Sequence, residues 1–231
     1  MTDQPDQPAP DDLSRIVIAT GNPHKVEELR RLLALPGIEF VGLKDLPGHD
    51  SLTEPEETGN TFEANATIKA LSYAAQTGLT CLADDSGLEV DALGGAPGVI
   101  SSHYCTDGRE VGMSRAERDA ANNARLLREL ETLPAEHRSA RFVCVMVLAS
   151  AASVLATSRG TFEGRIGLPG PPPAGVPRGT NGFGYDPLFL AGPECRQTGA
   201  ELSAQEKNRR SHRGVAARDM LQQLRARLHP A

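Results

Sequence analysis

Apolar and polar positions alternate along the chain in a way that predicts short strands separated by amphipathic helices. Ile16-Val17-Ile18-Ala19 is an apolar run of strand length, broken by Thr20-Gly21-Asn22. Pro23 suits the first position of a helix with Asn22 as its N-cap, and Val26, Leu29 and Leu33 keep helical spacing until Pro36-Gly37. Residues 38–43 predict a second strand, and the loop-like stretch 46–58 leads to a helix over about 61–76, closed by Gly78. Residues 79–83 predict a third strand that ends at Asp84-Asp85-Ser86-Gly87, with 88–90 as a short strand after that turn. Gly94 to Gly98 reads as a loop, and Ser114 caps a helix running to about Thr132. Residues 141–149 form a strongly apolar strand with 153–163 as its hairpin partner. The Pro/Gly-rich stretch 167–182 predicts a mobile loop, 185–190 a short strand and 211–228 the last helix.

Intermingled helices and strands place the chain in the α/β class. The early strand-helix-strand order allows parallel pairing and the later hairpin adds antiparallel pairing, so a mixed sheet is expected. Residues 1–14, rich in Pro, Asp and Gln, predict a disordered tail; residues 15–231 show no repeat and no linker, and predict a single domain. A chain of 231 residues with 39% apolar content can build a core for one domain with two lobes. The net charge of −6 argues against direct nucleic-acid binding. No basic-then-apolar leader and no run of membrane-spanning length is present, which predicts a cytoplasmic protein with no membrane partner. The four cysteines, Cys81, Cys105, Cys144 and Cys195, lack metal-ligand spacing.

Five segments could carry chemistry. Thr20-Gly21-Asn22-Pro23-His24-Lys25 joins a strand to a helix start, where free N–H groups and the helix dipole favour an anion. Lys25 stands in the first turn, a position the dipole disfavours, and a phosphate would offset that cost. Asp84-Asp85-Ser86-Gly87 brings two carboxylates that a strand would point to opposite faces, so one enters a site and the other supports it or faces solvent. Such a carboxylate could hold Mg²⁺ or activate water. Glu54, Glu56 and Glu57 offer further oxygen ligands, although on their own they read more often as a solvated acidic loop. In Thr180 to Pro187 the glycines around Phe183 allow close approach of backbone to a ligand, and an exposed ring could stack on a base. Finally, Lys207 and Ser211-His212-Arg213-Gly214 gather potential cations at a helix start, which makes sense around polyphosphate. Each segment alone also has an ordinary structural reading as a turn, a capped helix or a packed aromatic.

Taken together, ATGNPHKVEEL, EETGNTFEANATIKA, LADDSGLEVDALGGAPGV, GFGYDP and SHRG stand in order and resemble the inosine/xanthosine triphosphate pyrophosphatase family, also called the Ham1 family. The resemblance runs from Arg15 to about Leu228. It implies a long, twisted mixed sheet with helices, two lobes and a cleft between them, and a homodimer. It also implies hydrolysis of non-canonical purine nucleoside triphosphates such as ITP, dITP and XTP to the monophosphate and pyrophosphate, keeping them out of DNA and RNA. Carried over by residue, Thr20, Gly21, Asn22, Pro23, His24 and Lys25 match the phosphate-binding turn, and Lys69 a phosphate-facing lysine. Asp85 matches the catalytic proton acceptor, and with Glu57 the Mg²⁺ site. Ser86, Phe183, Gly184, Tyr185, Asp186, Lys207, His212 and Arg213 match substrate contacts.

Two departures accompany the resemblance. His103 stands where relatives commonly carry Arg, and the 167–177 stretch is unusually proline-rich. Competing readings are a nucleotide sensor, which would not need Glu57 and Asp85, and a pyrophosphatase directed at pyrimidines. A protein-interaction module would leave the clustered cations unexplained.

Overall fold

The computed structural model describes residues 13–182 and 184–228; residues 1–12 of the expected tail, and Phe183, lie outside the described residues. The elements are β1 (Arg15–Ile18), α1 (Pro23–Leu32), β2 (Glu39–Gly42), α2 (Phe62–Thr77), β3 (Thr80–Val90), α3 (Arg115–Glu129), β4 (Ser139–Ala149), β5 (Val154–Ile166), β6 (Phe189–Ala191), α4 (Ala204–Arg210) and α5 (His212–Leu228). A 3₁₀ segment, Gly98–Thr106, lies between β3 and α3.

Local chemistry sets most helix ends. Asn22 Oδ1 accepts from the His24 and Lys25 N–H groups and Pro23 opens α1. Thr61 caps α2, and Gly78 closes it in the left-handed region at φ +68°. Ser114 and Glu117 form a capping box at α3.

One six-stranded sheet runs through these residues in the order β2-β1-β3-β4-β5-β6. β1 pairs in parallel with β2 and β3, while the remaining pairs are antiparallel. The expected break at Asp84-Asp85-Ser86-Gly87 is corrected: β3 is a single strand of 11 residues. Its ladder with β4 runs from Cys81 opposite Ala149 to Val90 opposite Ala140. That pairing outweighs the turn preference of Asp-Ser-Gly, because a turn would leave the β4 edge unsatisfied. Two smaller expectations also change. The strand expected over 185–190 is Phe189–Ala191, and a helix not expected from the sequence, α4, precedes α5.

The period of two along the strands sorts the core onto two faces. Val17, Cys81, Ala83, Val143, Val145 and Val147 pack beneath α2, with Ala66, Ala70 and Tyr73. Ile16, Ile18, Leu82, Cys144, Met146 and Leu148 pack beneath α1 and α5, with Leu29, Ala217 and Met220. Further along the same face as this second group, Leu88 and Val90 join Tyr104, Leu126, Tyr185 and Phe189 in a separate cluster. Asp84 and Ser86 occupy the register positions between these two clusters. The two clusters are the hearts of two lobes on one sheet, and the cleft lies where apolar packing stops.

The Pro-rich stretch is tied to the second lobe. Gly167 N–H donates to Leu188 O and Val176 N–H to Leu168 O, and the Val176 side chain is buried in that lobe's cluster.

Candidate active site

β1 ends at Ile18, opposite Leu82, while β3 continues to Val90. Beyond Leu82 the β3 edge has no parallel neighbour, and a cavity of about 840 Å³ opens beside it. Gly87 lets the far wall approach: a Cβ there would stand 2.4 Å from Ser101 Oγ and 2.7 Å from Gly98 O. Ser101 Oγ instead accepts the Leu88 N–H at 2.9 Å, fastening the 3₁₀ segment to the strand.

Asp84 and Asp85 point to opposite faces, as their spacing predicts, yet both border the cleft around the free strand edge. Asp84 is buried. Lys25 Nζ lies 3.1 Å from its Oδ2 and Arg213 Nη2 lies 3.4 Å from the same oxygen. Burial alone would raise the Asp84 carboxyl, but the Lys25, Arg213 and Lys69 charges outweigh it and hold the group well below the ordinary carboxylate range. Arg213, also buried, donates from Nη1 to Glu28 Oε2 at 3.0 Å and from Nη2 to Ser86 Oγ at 3.1 Å. Asp84 therefore ties α1 to α5 across the floor of the cleft.

Asp85 has a different environment. Asn65 Nδ2 donates to its Oδ2 at 3.3 Å, the Ser86 N–H to its Oδ1 at 3.0 Å, and Lys69 Nζ is 3.5 Å from Oδ1. Burial pushes the Asp85 carboxyl up, Lys69 opposes this, and Glu57 adds to it, with a net rise. Lys69 also meets Glu57 Oε2 at 3.0 Å. Burial would lower the Lys69 ammonium, but Asp85, Asp84 and Glu57 outweigh it and keep it charged. A buried carboxylate with a raised pKa, beside a fixed cation and open to a cleft, is suited to accept a proton.

Glu57 and Asp85 aim oxygens at one point, now shared through the Lys69 ammonium. Hard oxygen donors fit Mg²⁺, which commonly takes one or two carboxylates and completes its shell with substrate phosphates and water. Among the described residues no group of three or more His, Cys, Asp and Glu side chains forms a metal cage of its own. The donor set thus fits an ion shared with substrate.

The other walls carry cations and the base-side segment. Lys207 Nζ meets Asp186 Oδ2 at 2.6 Å, against Gly182. His212 is half-buried and its ring stacks on Phe142, with centroids 5.2 Å apart and planes at 18°. Burial and then the Arg213 charge hold the His212 imidazole well below its usual pKa, so it is neutral. Its Nδ1 is enclosed without a hydrogen-bond partner among the described residues.

Of the residues picked from the sequence, Thr20, Asn22, His24, Lys25, Glu57, Lys69, Asp85, Ser86, Gly184, Tyr185, Asp186, Lys207, His212 and Arg213 line this one cleft. Gly21 and Pro23 belong to its turn without lining it, and the Phe183 expectation falls outside the described residues. Three expectations change in detail. The α1 start does not present free N–H groups through His24 and Lys25, because Asn22 takes both. Lys25 has a counter-charge within the chain, Asp84, which the sequence did not pair with it. Tyr185 is buried, with its hydroxyl donating to Ser101 O at 2.7 Å, so its side chain supports the segment from behind. His103 meets Glu110 Oε2 at 2.9 Å and lies on the cleft wall. Sequence reasoning missed Asn65 and Glu28, which touch the site only through the fold.

The sequence profile of the Ham1 family matches residues 16–223. This chain belongs to the Ham1 family. It is 46% identical over 206 residues to a dITP/XTP pyrophosphatase of Exiguobacterium sibiricum, covering 89% of this chain and 94% of that one. It is 48% identical over 211 residues to one of Frankia alni, covering 91% and 97%. Among solved structures, a HAM1 protein from Coxiella burnetii superposes with a TM-score of 0.76 at 40% identity, covering 91% of this chain and 98% of that one. The mixed sheet, the two lobes and the cleft are thus those of the Ham1 fold, as the ordered motifs implied.

Proposed function

We propose that this chain hydrolyses the non-canonical purine nucleoside triphosphates ITP, dITP and XTP to the monophosphate and pyrophosphate. The observation that carries this reading is the convergence of Asp85, fixed by Asn65 and Lys69, with Lys25, Lys207 and Arg213 around one cleft. Relatives at 46% and 48% identity that are named dITP/XTP pyrophosphatase support it.

In this reading Asp85 takes a proton from water as the water oxygen attacks phosphorus, and the bond to the pyrophosphate leaving group breaks. Lys25 and Lys69 draw the phosphate oxygens into line. Asp84 keeps Lys25 and Arg213 in position between turnovers. The effect is positioning and electrostatic stabilisation, with no covalent intermediate. Mg²⁺, when bound, would be held by Glu57 and Asp85 and would neutralise part of the triphosphate charge. Inosine and xanthosine present O6 as an acceptor where adenine presents a donor, so donors around the 184–186 segment, Lys207 and His212 favour the 6-oxo bases.

The reading extends to a homodimer in the cytoplasm without nucleic-acid binding. No helix among the described residues is long and apolar enough to cross a membrane. Light scattering, cell fractionation and a gel-shift assay with DNA and RNA test these three points.

The deciding experiment is pyrophosphate release from a panel of nucleoside triphosphates, with Mg²⁺ and with EDTA. Mg²⁺-dependent release from ITP, dITP and XTP, with ATP and GTP nearly inert, is expected. Tight ITP binding without release would instead favour a sensor, and preferential release from UTP or dTTP a pyrimidine enzyme.

A further inference from the structure

One contact in the wall of the cleft has no part in the reaction as described: it joins Gly184 to α3, whose Asp119 also borders the cavity. Gly184, in the base-side segment, has both its peptide groups held by the side chains of one helix. Its N–H donates to Asp119 Oδ2 at 3.2 Å and its C=O accepts from Asn123 Nδ2 at 3.1 Å. Asp119 and Asn123 are four residues apart on α3, hence one above the other on the same helix face. The sequence separation from Gly184 is 65 and 61 residues, so nothing local requires the contact.

The pair fixes a conformation that the chain would not hold by itself. Gly184 has φ +61°, in the left-handed region where glycine is at home and where the unbound backbone has several alternatives. Gripping the N–H on one side and the C=O on the other locks both dihedrals. Just after it, Tyr185 is anchored by its hydroxyl on Ser101 O. Asn122, the residue beside Asn123, holds the same wall by accepting from Cys105 N–H and donating to Ser102 O. α3 therefore fastens both the 3₁₀ wall and the base-side segment.

Asn123 shows that this grip is specific. A carbonyl can only accept, so the amide must turn its Nδ2 towards Gly184, and its Oδ1 is left enclosed without a partner among the described residues. A side chain chosen for packing alone would not carry an unsatisfied acceptor.

We infer that Asp119 and Asn123 are positioning residues for base selection: by clamping Gly184 they set where the 184–186 segment stands against the purine. This rests on the reading of the cleft as a purine triphosphate site. The clamp acts on the base and leaves the phosphate end, where Lys25, Lys69 and Asp85 stand, untouched.

Near-isosteric exchanges give the test, because the two positions have opposite hydrogen-bond polarity. Asp119→Asn keeps an acceptor for the Gly184 N–H. Asn123→Asp loses the donor and sets a carboxylate against the Gly184 C=O, and Asp119→Leu removes the acceptor. Initial rates with ITP and with ATP, and melting temperatures, are measured for the full chain and each variant. The expected result is that Asp119→Asn behaves like the parent. Asn123→Asp and Asp119→Leu should raise KM for ITP about tenfold, with kcat held within about threefold, and reduce the preference for ITP over ATP by about tenfold. If Asn123→Asp keeps the parental KM and preference, the inference is overturned. It is equally overturned if the variants lose melting temperature or kcat while the base preference stays intact, since that is what a merely structural contact does. Failure of the parent itself to hydrolyse ITP would sink the functional reading instead. The clamp is then read by ITP calorimetry, where Asn123→Asp must still bind about tenfold more weakly than Asp119→Asn.

Discussion

The Lys25 ammonium and the Asp84 carboxylate face one another at 3.1 Å across the bottom of the cleft, with the carboxylate buried and the ammonium partly open to solvent. This asymmetry gives the pair its use. The acid cannot leave, and the lysine can turn its free side to an incoming anion while its charge is already compensated.

Removing that buried acid should therefore affect both stability and binding. In Asp84→Asn, the Arg213 guanidinium loses the larger part of its neutralisation while remaining buried. Breaking one side of a buried ion pair costs about 3–5 kcal/mol, which for a chain of this size lowers Tm by about 10 °C. KM for ITP should rise because Lys25 and Arg213 are no longer held. A melting curve and a saturation curve check both, and an unchanged Tm would show that Asp84 does not tie the helices together.

Asp85→Asn should behave differently, because its partners Asn65 and Lys69 remain satisfied by an amide and by Glu57. Turnover should fall by about 10²–10⁴-fold, the usual contribution of a positioned general base, with ITP affinity and Tm largely kept. Near-normal turnover would remove Asp85 from the chemistry.

For Glu57, the expected change is in metal demand rather than in folding, since its side chain is exposed at the rim of the cleft. Glu57→Gln should raise the Mg²⁺ concentration for half-maximal rate at least about tenfold. Titration with Mg²⁺ at saturating ITP measures it, and an unshifted midpoint would take Glu57 out of the ion's shell.

His212 predicts a pH effect on stability. Its folded-state pKa lies well below 6.5 because of burial and the adjacent Arg213 charge, while the unfolded chain titrates at the ordinary value. Below about pH 6.5 the unfolded state thus binds a proton that the folded state refuses, and stability falls as pH falls. The difference in Tm between pH 7 and pH 5 should shrink in His212→Gln relative to the parent. An equal slope in both proteins would show that His212 is free to protonate.

Much of the frame was legible because its signals are local. Asn22-Pro23, Thr61 with Gly78, and Ser114 with Glu117 mark helix ends by groups that bond within a few residues. α4 carries the same local signal, since Ser203 and Glu206 form a capping box of the same spacing. The course of β3 through Asp84-Asp85-Ser86-Gly87 was not legible. Its extension depends on a ladder to β4 some 60 residues away, which overrides local turn preference. For the site, most of the side chains picked out by the motifs line one cleft, and strand alternation gave Asp84 and Asp85 their opposite faces. Who neutralises whom was hidden, because Lys25, Asp84, Arg213 and Glu28 meet only after three separate segments are folded together.

The unequal lengths of β1 and β3 make the cleft a ruler. From the last parallel pairing at Leu82 to the grip of Ser101 on Leu88, the run of β3 without a parallel neighbour is residues 83–87. At about 3.3 Å per residue that is roughly 16 Å, and each strand position is one graduation. Side-chain exchanges inside this span alter what is felt at a given mark. Adding or deleting one residue between Ile18 and Asn22 would move the origin of the scale, displacing Lys25 along every group that has to meet it at once. Length at this junction should therefore be far less negotiable than composition.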